Sequence, residues 1–290
     1  MVSKQVLAIG GINVNVFTSS EGSDPSVPVT VLFFLHGRKG SAEGVEWVPN
    51  ATLEWVDKHR KISDQQAQEL VVVTIDQRNH GTRVADLAAN KGWDESPPSS
   101  RNDRHAIDLY CIFAGTAQDI SFLIDWLPAY LYPSEERTIS QWIVAGLSLG
   151  GHAAWYTLRN DPRVKIGIPI IAASDYVLLI SERAKRDGVP FEPPYAPKVL
   201  LQQIQQTGAV NTPYDSTDAA NPFLGKKILA LSGADDTSVP WSASERFFER
   251  LVVGESGSKR AIVYPGVGHK CTPEMVEEMS QFVWKEALVV

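Results

Sequence analysis

The sequence predicts an α/β fold in which a mostly parallel central sheet is flanked by helices and carries a small helical insertion. Three observations carry this. Short apolar runs rich in β-branched residues recur along the 290 residues, stretches of helical length and period separate them, and turn residues close most of the runs. Strands buried on both faces of a parallel sheet read as such unbroken runs, and their crossovers need helices. A composition of 43% hydrophobic and 21% charged residues is that of an ordinary globular chain, long enough for one large core.

Taken in order, the elements start with a hairpin. Residues 6–9 and 12–17 flank Gly10-Gly11, and Ile12-Asn13-Val14-Asn15-Val16 alternates as a half-exposed edge strand does. Buried strands follow at 29–35, 70–75, 141–146, 164–171, 227–231 and 260–263. Helices are expected near 51–60, 106–127, 151–159, 241–252 and 273–287, most of them linking or following strands. Two stretches break the rhythm. Residues 81–104, with Trp93, Pro97 and Pro98, form a long loop; residues 175–225 hold two helical patterns, 176–185 and 198–206, around a proline-rich turn. Loops of this length in a compact domain usually serve function. The expected organisation is therefore a core of 1–174 and 226–290 with a lid at 175–225.

A net charge of -7, without clustered Lys or Arg, excludes the electrostatic footprint of a nucleic-acid partner. The two cysteines, Cys111 and Cys271, are too few for a disulfide framework in a chain this long. Residues 1–17 lack the apolar core of a secretory signal, and no run of 18 apolar residues suggests a membrane span. A cytoplasmic protein acting on a small-molecule substrate is expected. No Cys or His spacing marks a metal site, and no dinucleotide-binding glycine pattern occurs, so neither a metal nor a cofactor is expected.

The chemistry concentrates at residues 142–152, where an apolar run ends in Gly146-Leu147-Ser148-Leu149-Gly150 and a helical stretch follows. A strand that turns into a helix within a few residues forces the serine into a strained backbone and thrusts its hydroxyl outward. An alkyl hydroxyl is a poor nucleophile near neutral pH, so Ser148 needs a base, and the base needs an orienting carboxylate. Both lie downstream. Gly233-Ala234-Asp235-Asp236 follows one late strand, and Gly266-Val267-Gly268-His269 follows the last. His269 sits in a glycine-rich loop at a strand's C-terminal end, where functional groups of open α/β sheets collect. Asp235 and Asp236 cannot both face it. Leu149, directly after the serine at a helix N-terminus, offers an N–H for an oxyanion.

In its Ser, Asp, His order and its elbow, the chain resembles the α/β-hydrolase family from about residue 29 onward. The resemblance implies an acyl-serine mechanism on an ester, thioester or lactone. The family's Gly-x-x-Asp-x-x-Val-Pro falls on Gly233, Asp236, Val239 and Pro240, which implies Asp236 as the acid. Some relatives carry the acid one strand earlier, where Asp175 stands, although that residue also reads as a helix N-cap. The family's second oxyanion donor follows a His-Gly pair, which implies Arg38, with His36 supporting the loop from beneath. His36-Gly37-Arg38-Lys39-Gly40 lacks the three-glycine run of many lipases and esterases, a departure from that branch. The side chains of Arg38 and Lys39 either hold an anionic substrate or are solvated charges. Loop 81–104 and the insertion are expected to close over the site, bringing Trp93, Tyr176, Phe191, Tyr195 and Tyr214 to a small or medium substrate. His80 reads as a turn residue, His152 as packed on the sheet, and His59 and His105 as surface or helix-end residues. Carbon–carbon or amide cleavage and acyl transfer are alternative uses of the same three groups. A ligand-binding protein on the same scaffold is the non-enzyme reading.

Overall fold

The computed structural model describes residues 1–19 and 26–289. Among the described residues, eight strands form one sheet in the order β1-β2-β4-β3-β5-β6-β7-β8. The hairpin of β1 (Val2–Ile9) and β2 (Ile12–Ser19) turns at Gly10 and Gly11, both at positive φ. β2 joins β4 (Glu69–Ile75) antiparallel. From there β3 (Val29–Leu35), β5 (Ile139–Leu147), β6 (Val164–Ile170), β7 (Lys227–Gly233) and β8 (Ser258–Tyr264) continue the sheet in parallel.

The period of two along β3 explains why it reads as an unbroken apolar run. Val29, Val31, Phe33 and Leu35 enter the core on one face, and Leu32 and Phe34 enter the other. Each such side chain contributes on the order of 2 kcal/mol when removed from water. α1 (Trp47–Ile62) and α7 (Pro273–Val283) cover one face. α2 (His105–Leu131), α3 (Leu149–Asn160), α4 (Tyr176–Asp187), α5 (Lys198–Thr207) and α6 (Ser242–Arg250) cover the other.

Several boundaries differ from expectation for identifiable reasons. α1 begins at Trp47 because Pro49 falls in its first turn, where a missing N–H costs nothing. α2 runs through Pro128 to Leu131, so the proline falls inside its last turn. β6 stops at Ile170 because Ile171 turns to φ 47°. The stretch Pro98–Leu131 contains an 18-residue window of mean hydropathy 1.3, which corrects the expectation that no segment is long and apolar enough to cross a membrane; 67% of that window is buried inside the protein. Its hydropathy is accounted for by core packing through Ile112, Phe113, Ile120, Leu123, Ile124 and Leu127.

The segment between β6 and β7 holds α4 and α5, and loop 81–104 is built from short 3-10 turns. The Tyr176 hydroxyl donates to Ala106 O of α2 (2.7 Å), and Arg101 of the loop donates to Asp187 O of α4 (3.4 Å). Both additions thereby sit at the C-terminal rim of the parallel strands, where ligands of open α/β sheets bind.

Candidate active site

Ser148 occupies the single residue between β5 and α3, at φ 53° and ψ -111°. A non-glycine residue in such a region costs of order 1–3 kcal/mol and persists only where its surroundings fix it. Here they do. The Ser148 N–H donates to Ile170 O (2.8 Å), the Gly150 N–H to His36 O (3.1 Å), and the His152 N–H to Ser148 O (2.9 Å). The flanking glycines follow from the same crowding. A Cβ at Gly146 would lie 2.6 Å from the Gly150 carbonyl carbon, and one at Gly150 would lie 2.4 Å from Leu35 O.

The turn after β7 and the loop after β8 meet beside this elbow. Gly233 lets them touch, since a Cβ there would stand 2.2 Å from Val267 O. Ala234 N–H donates to Tyr264 O and Asp235 N–H to Val267 O, each at 2.9 Å. That pairing leaves Asp235 exposed and turns Asp236 inward. Asp236 Oδ2 lies 2.7 Å from His269 Nδ1, and His269 Nε2 lies 2.9 Å from Ser148 Oγ. Asp236 Oδ1 accepts from Ser238 N (2.9 Å) and Val239 N (2.8 Å), so a carboxylate with no exposed surface is satisfied at both oxygens. With its Nδ1 proton directed at the carboxylate, the imidazole offers Nε2 as the acceptor for the serine proton.

The loop 36–40 lies against the serine: a Cβ at Gly37 would come 3.7 Å from Ser148 Cβ. His36 anchors the loop from below, donating from Nδ1 to Gly37 O (2.7 Å) and accepting at Nε2 from Gln77 N–H (3.0 Å). Burial pushes the His36 pKa down to about 4, which keeps the ring in the neutral form that both bonds require. The N–H groups of Leu149, first residue of α3, and of Arg38 make no turn or loop bond to a backbone carbonyl among the described residues.

The other sequence candidates are dispersed. Asp175 caps α4, accepting from Leu178 N–H at 3.0 Å. Trp93 is 1% exposed and packs edge-on against His105, so it presents no surface to a ligand. Tyr176 is also buried; with Tyr110, Phe113 and His152 it lines an apolar cavity of about 30 Å3, too small for an acyl chain. Phe191, Tyr195 and Tyr214 are half-buried against the core, Tyr214 on Phe247 with ring centroids 4.5 Å apart. His105 begins α2 but is buried rather than at the surface. His80 bonds Arg78 O (3.0 Å) within its turn, His152 packs beside Phe113 at Ala173 O (3.2 Å), and His59 stacks on Trp55. Lys39 is paired with Glu95 at 2.5 Å. Burial pushes the Cys271 thiol up to about 12, away from a reactive thiolate.

Sequence reasoning missed Arg183, whose Nε and Nη2 donate to Ser238 O (3.3 and 2.9 Å), gripping the turn that carries Asp236. It lies in the charged run Ser181-Glu182-Arg183-Ala184-Lys185-Arg186, which reads as a solvated face. The available signal was spacing: Tyr176, Leu179, Ile180 and Arg183 follow i, i+3, i+4, i+7 along one face of α4.

No family model and no curated protein matches the sequence. Solved structures do. The chain is similar to TT1662 from Thermus thermophilus, with 20% identity over 99% of each chain and a TM-score of 0.66. It is similar to acetyl xylan esterase 1 from Thermoanaerobacterium sp. JW/SL YS485, with 16% identity, 99% of this chain and 88% of that one covered, and a TM-score of 0.57. It is also similar to an acylaminoacyl peptidase from Pyrococcus horikoshii, with 12% identity, 98% of this chain but 41% of that one covered, and a TM-score of 0.63. At these identities the likeness shows the fold, and that fold is the α/β-hydrolase fold.

Proposed function

We propose that this α/β-hydrolase-fold chain is a cofactor-free serine hydrolase that cleaves a carboxylic ester, thioester or lactone through an acyl-serine intermediate. The observation that carries the proposal is the chain of hydrogen bonds from Ser148 Oγ through His269 to Asp236, at 2.9 and 2.7 Å, on a strained strand-to-helix turn. Ser148 Oγ attacks the substrate carbonyl while His269 Nε2 takes its proton. Asp236 holds the imidazole in the required tautomer and offsets the charge of the imidazolium that forms. The N–H groups of Leu149 and Arg38 receive the oxyanion, where preorganised donors supply the largest single electrostatic contribution. The tetrahedral intermediate collapses as His269 returns the proton to the leaving oxygen or sulfur, and water repeats the sequence on the acyl-serine. Residues 175–225 and loop 81–104 act as the lid, with Phe191, Tyr195 and Tyr214 as the aromatic side chains still partly accessible.

Esterases among the similar structures support the ester reading, and the acylaminoacyl peptidase supports amide cleavage by the same groups as the second one. Fluorophosphonate labelling and hydrolysis of p-nitrophenyl esters test the proposal. The wild-type chain labels on Ser148 and turns over esters, while Ser148→Ala loses the label and about 10⁶ in kcat. A folded wild-type chain inert in both assays overturns it.

A further inference from the structure

The net charge of the chain is -7, yet Arg38, Lys39, Arg101, Arg183 and Arg186 gather around the rim of the proposed site. Most of this charge is neutralised or tied down locally. Lys39 is paired with Glu95 (2.5 Å) and Arg186 with Asp187 (2.8 Å). Arg38, Arg101 and Arg183 differ: among the described residues none has a carboxylate within ion-pair distance, and each bonds only neutral acceptors, Arg101 the backbone carbonyls of Glu95 and Asp187. Arg38 donates from Nη1 to Asn90 O at 3.0 Å. Arg183 donates to Ser238 O, and its Nη1 stands 3.4 Å from His105 Nε2, on a ring whose Nδ1 faces Lys91 O at 3.0 Å. That leaves an N–H on each Nη of Arg183 without a protein acceptor.

A structural clamp on the Ser238 carbonyl does not by itself require a guanidinium. Arg183 follows Tyr176, Leu179 and Ile180 along the same face of α4, is half-buried, and desolvation holds its pKa down to about 10. A largely desolvated cation with no carboxylate at ion-pair distance, attracted only from further away by Asp94, is costly to the fold, and an anionic ligand at bonding distance reduces that cost. The space is there. A cavity of about 420 Å3, lined by Arg183, Arg186, Glu182, Thr237, Ser238 and Ser242, adjoins the turn that carries Asp236, and its two arginines outnumber its one carboxylate. Arg38, on the loop that lies against Ser148, is near enough to Arg183 for the two charges to repel each other.

Resting on the serine hydrolase reading, we propose that the substrate is a half-ester of a dicarboxylic acid, its free carboxylate held by the Arg183 guanidinium with Arg38 beside it. The planar fork of Arg183 suits bidentate recognition of a carboxylate, and the charge-assisted bonds form in a pocket partly closed to water. Arg183 is then a residue that sets specificity, and α4 carries the determinant that distinguishes this site from one for neutral esters.

The test compares mono-p-nitrophenyl glutarate with p-nitrophenyl pentanoate, esters of equal acyl length that differ in charge, and measures glutarate binding to the intact chain by calorimetry. Wild-type protein favours the anionic ester in kcat/KM by about tenfold or more, and Arg183→Gln removes that preference and weakens glutarate binding by a similar factor. Arg183→Lys, which keeps the charge but not the fork, restores part of the ratio. A merely structural Arg183 would lower both esters together and leave the ratio in place, which overturns the proposal. Ser148-dependent turnover without charge preference also overturns it while the hydrolase reading stands. Arg183-dependent glutarate binding without turnover of either ester sustains the anion site and removes the hydrolase reading beneath it.

Discussion

Two adjacent aspartates after β7 have opposite surroundings, and the difference lies in backbone bonds rather than in their own chemistry. Asp235 N–H is spent on Val267 O, which points its side chain to solvent, while Asp236 closes on Ser238 N, Val239 N and His269. Residue chemistry alone left the pair open, and the Gly233, Asp236, Val239, Pro240 pattern favoured the member that the structure places against His269. Ser148 and His269 were legible because a nucleophile on an elbow and a histidine in a glycine-rich loop leave local marks in the chain. The aromatic residues were not, because which way Trp93 or Tyr176 points is decided by packing against His105 and Ala106 at the start of α2, which no pattern local to either aromatic marks. The role given to Asp236 predicts that Asp236→Asn leaves the fold intact and lowers kcat by about 10⁴. Asp175→Ala, by contrast, removes an N-cap and costs about 1 kcal/mol of stability. Steady-state kinetics and urea unfolding on both variants check this. A large kcat loss in Asp175→Ala with normal turnover by Asp236→Asn would move the acid one strand earlier.

At the scale of elements, the parallel strands were readable because they are buried on both faces, whereas helix ends were not, because caps and prolines shift them by a turn. The insertion was visible as a break in rhythm, but not the way α4 faces: its inward side is set by docking over the turn after β7, through Arg183 and Ser238. The approach of that turn to the loop after β8 depends on Gly233, where a Cβ would stand 2.2 Å from Val267 O and 2.7 Å from Gly268 O. Backbone atoms cannot yield as a flexible side chain does, so Gly233→Ala pushes the Asp236 turn and the His269 loop apart. Overpacking of this kind costs about 1–3 kcal/mol. A misplacement near 1 Å lowers turnover by about 10²-fold. The expected result is a lower Tm together with a fall in kcat that exceeds any change in KM. A variant with wild-type kcat would show that this close approach does not position the histidine.

The whole molecule carries an electrostatic consequence of how its histidines are buried. His36 and His152 lie in the interior with pKa values lowered to about 4 and about 3, in each case chiefly by desolvation, and His80 and His105 are lowered by the same cause. In the unfolded chain these rings titrate near 6.5. Between pH 6.5 and 4 the unfolded state therefore binds more protons than the native state, so stability rises with pH in that window and is lost as pH falls through it. His36 alone accounts for about 3 kcal/mol across that range. That is a large share of the roughly 5–15 kcal/mol that holds a domain folded. The carboxylates Asp76 and Asp161, whose pKa values stay below the usual range despite partial burial because backbone and side-chain N–H and O–H groups donate to them, lose their contribution only at still lower pH. Urea unfolding followed by far-UV circular dichroism should show a midpoint that is nearly constant above pH 7 and falls steadily from pH 6.5 to 4, before the carboxylates titrate. A midpoint that stays flat down to pH 4.5 would mean that these rings take up protons in the native state, and that the loop supported by His36 tolerates a charged imidazole.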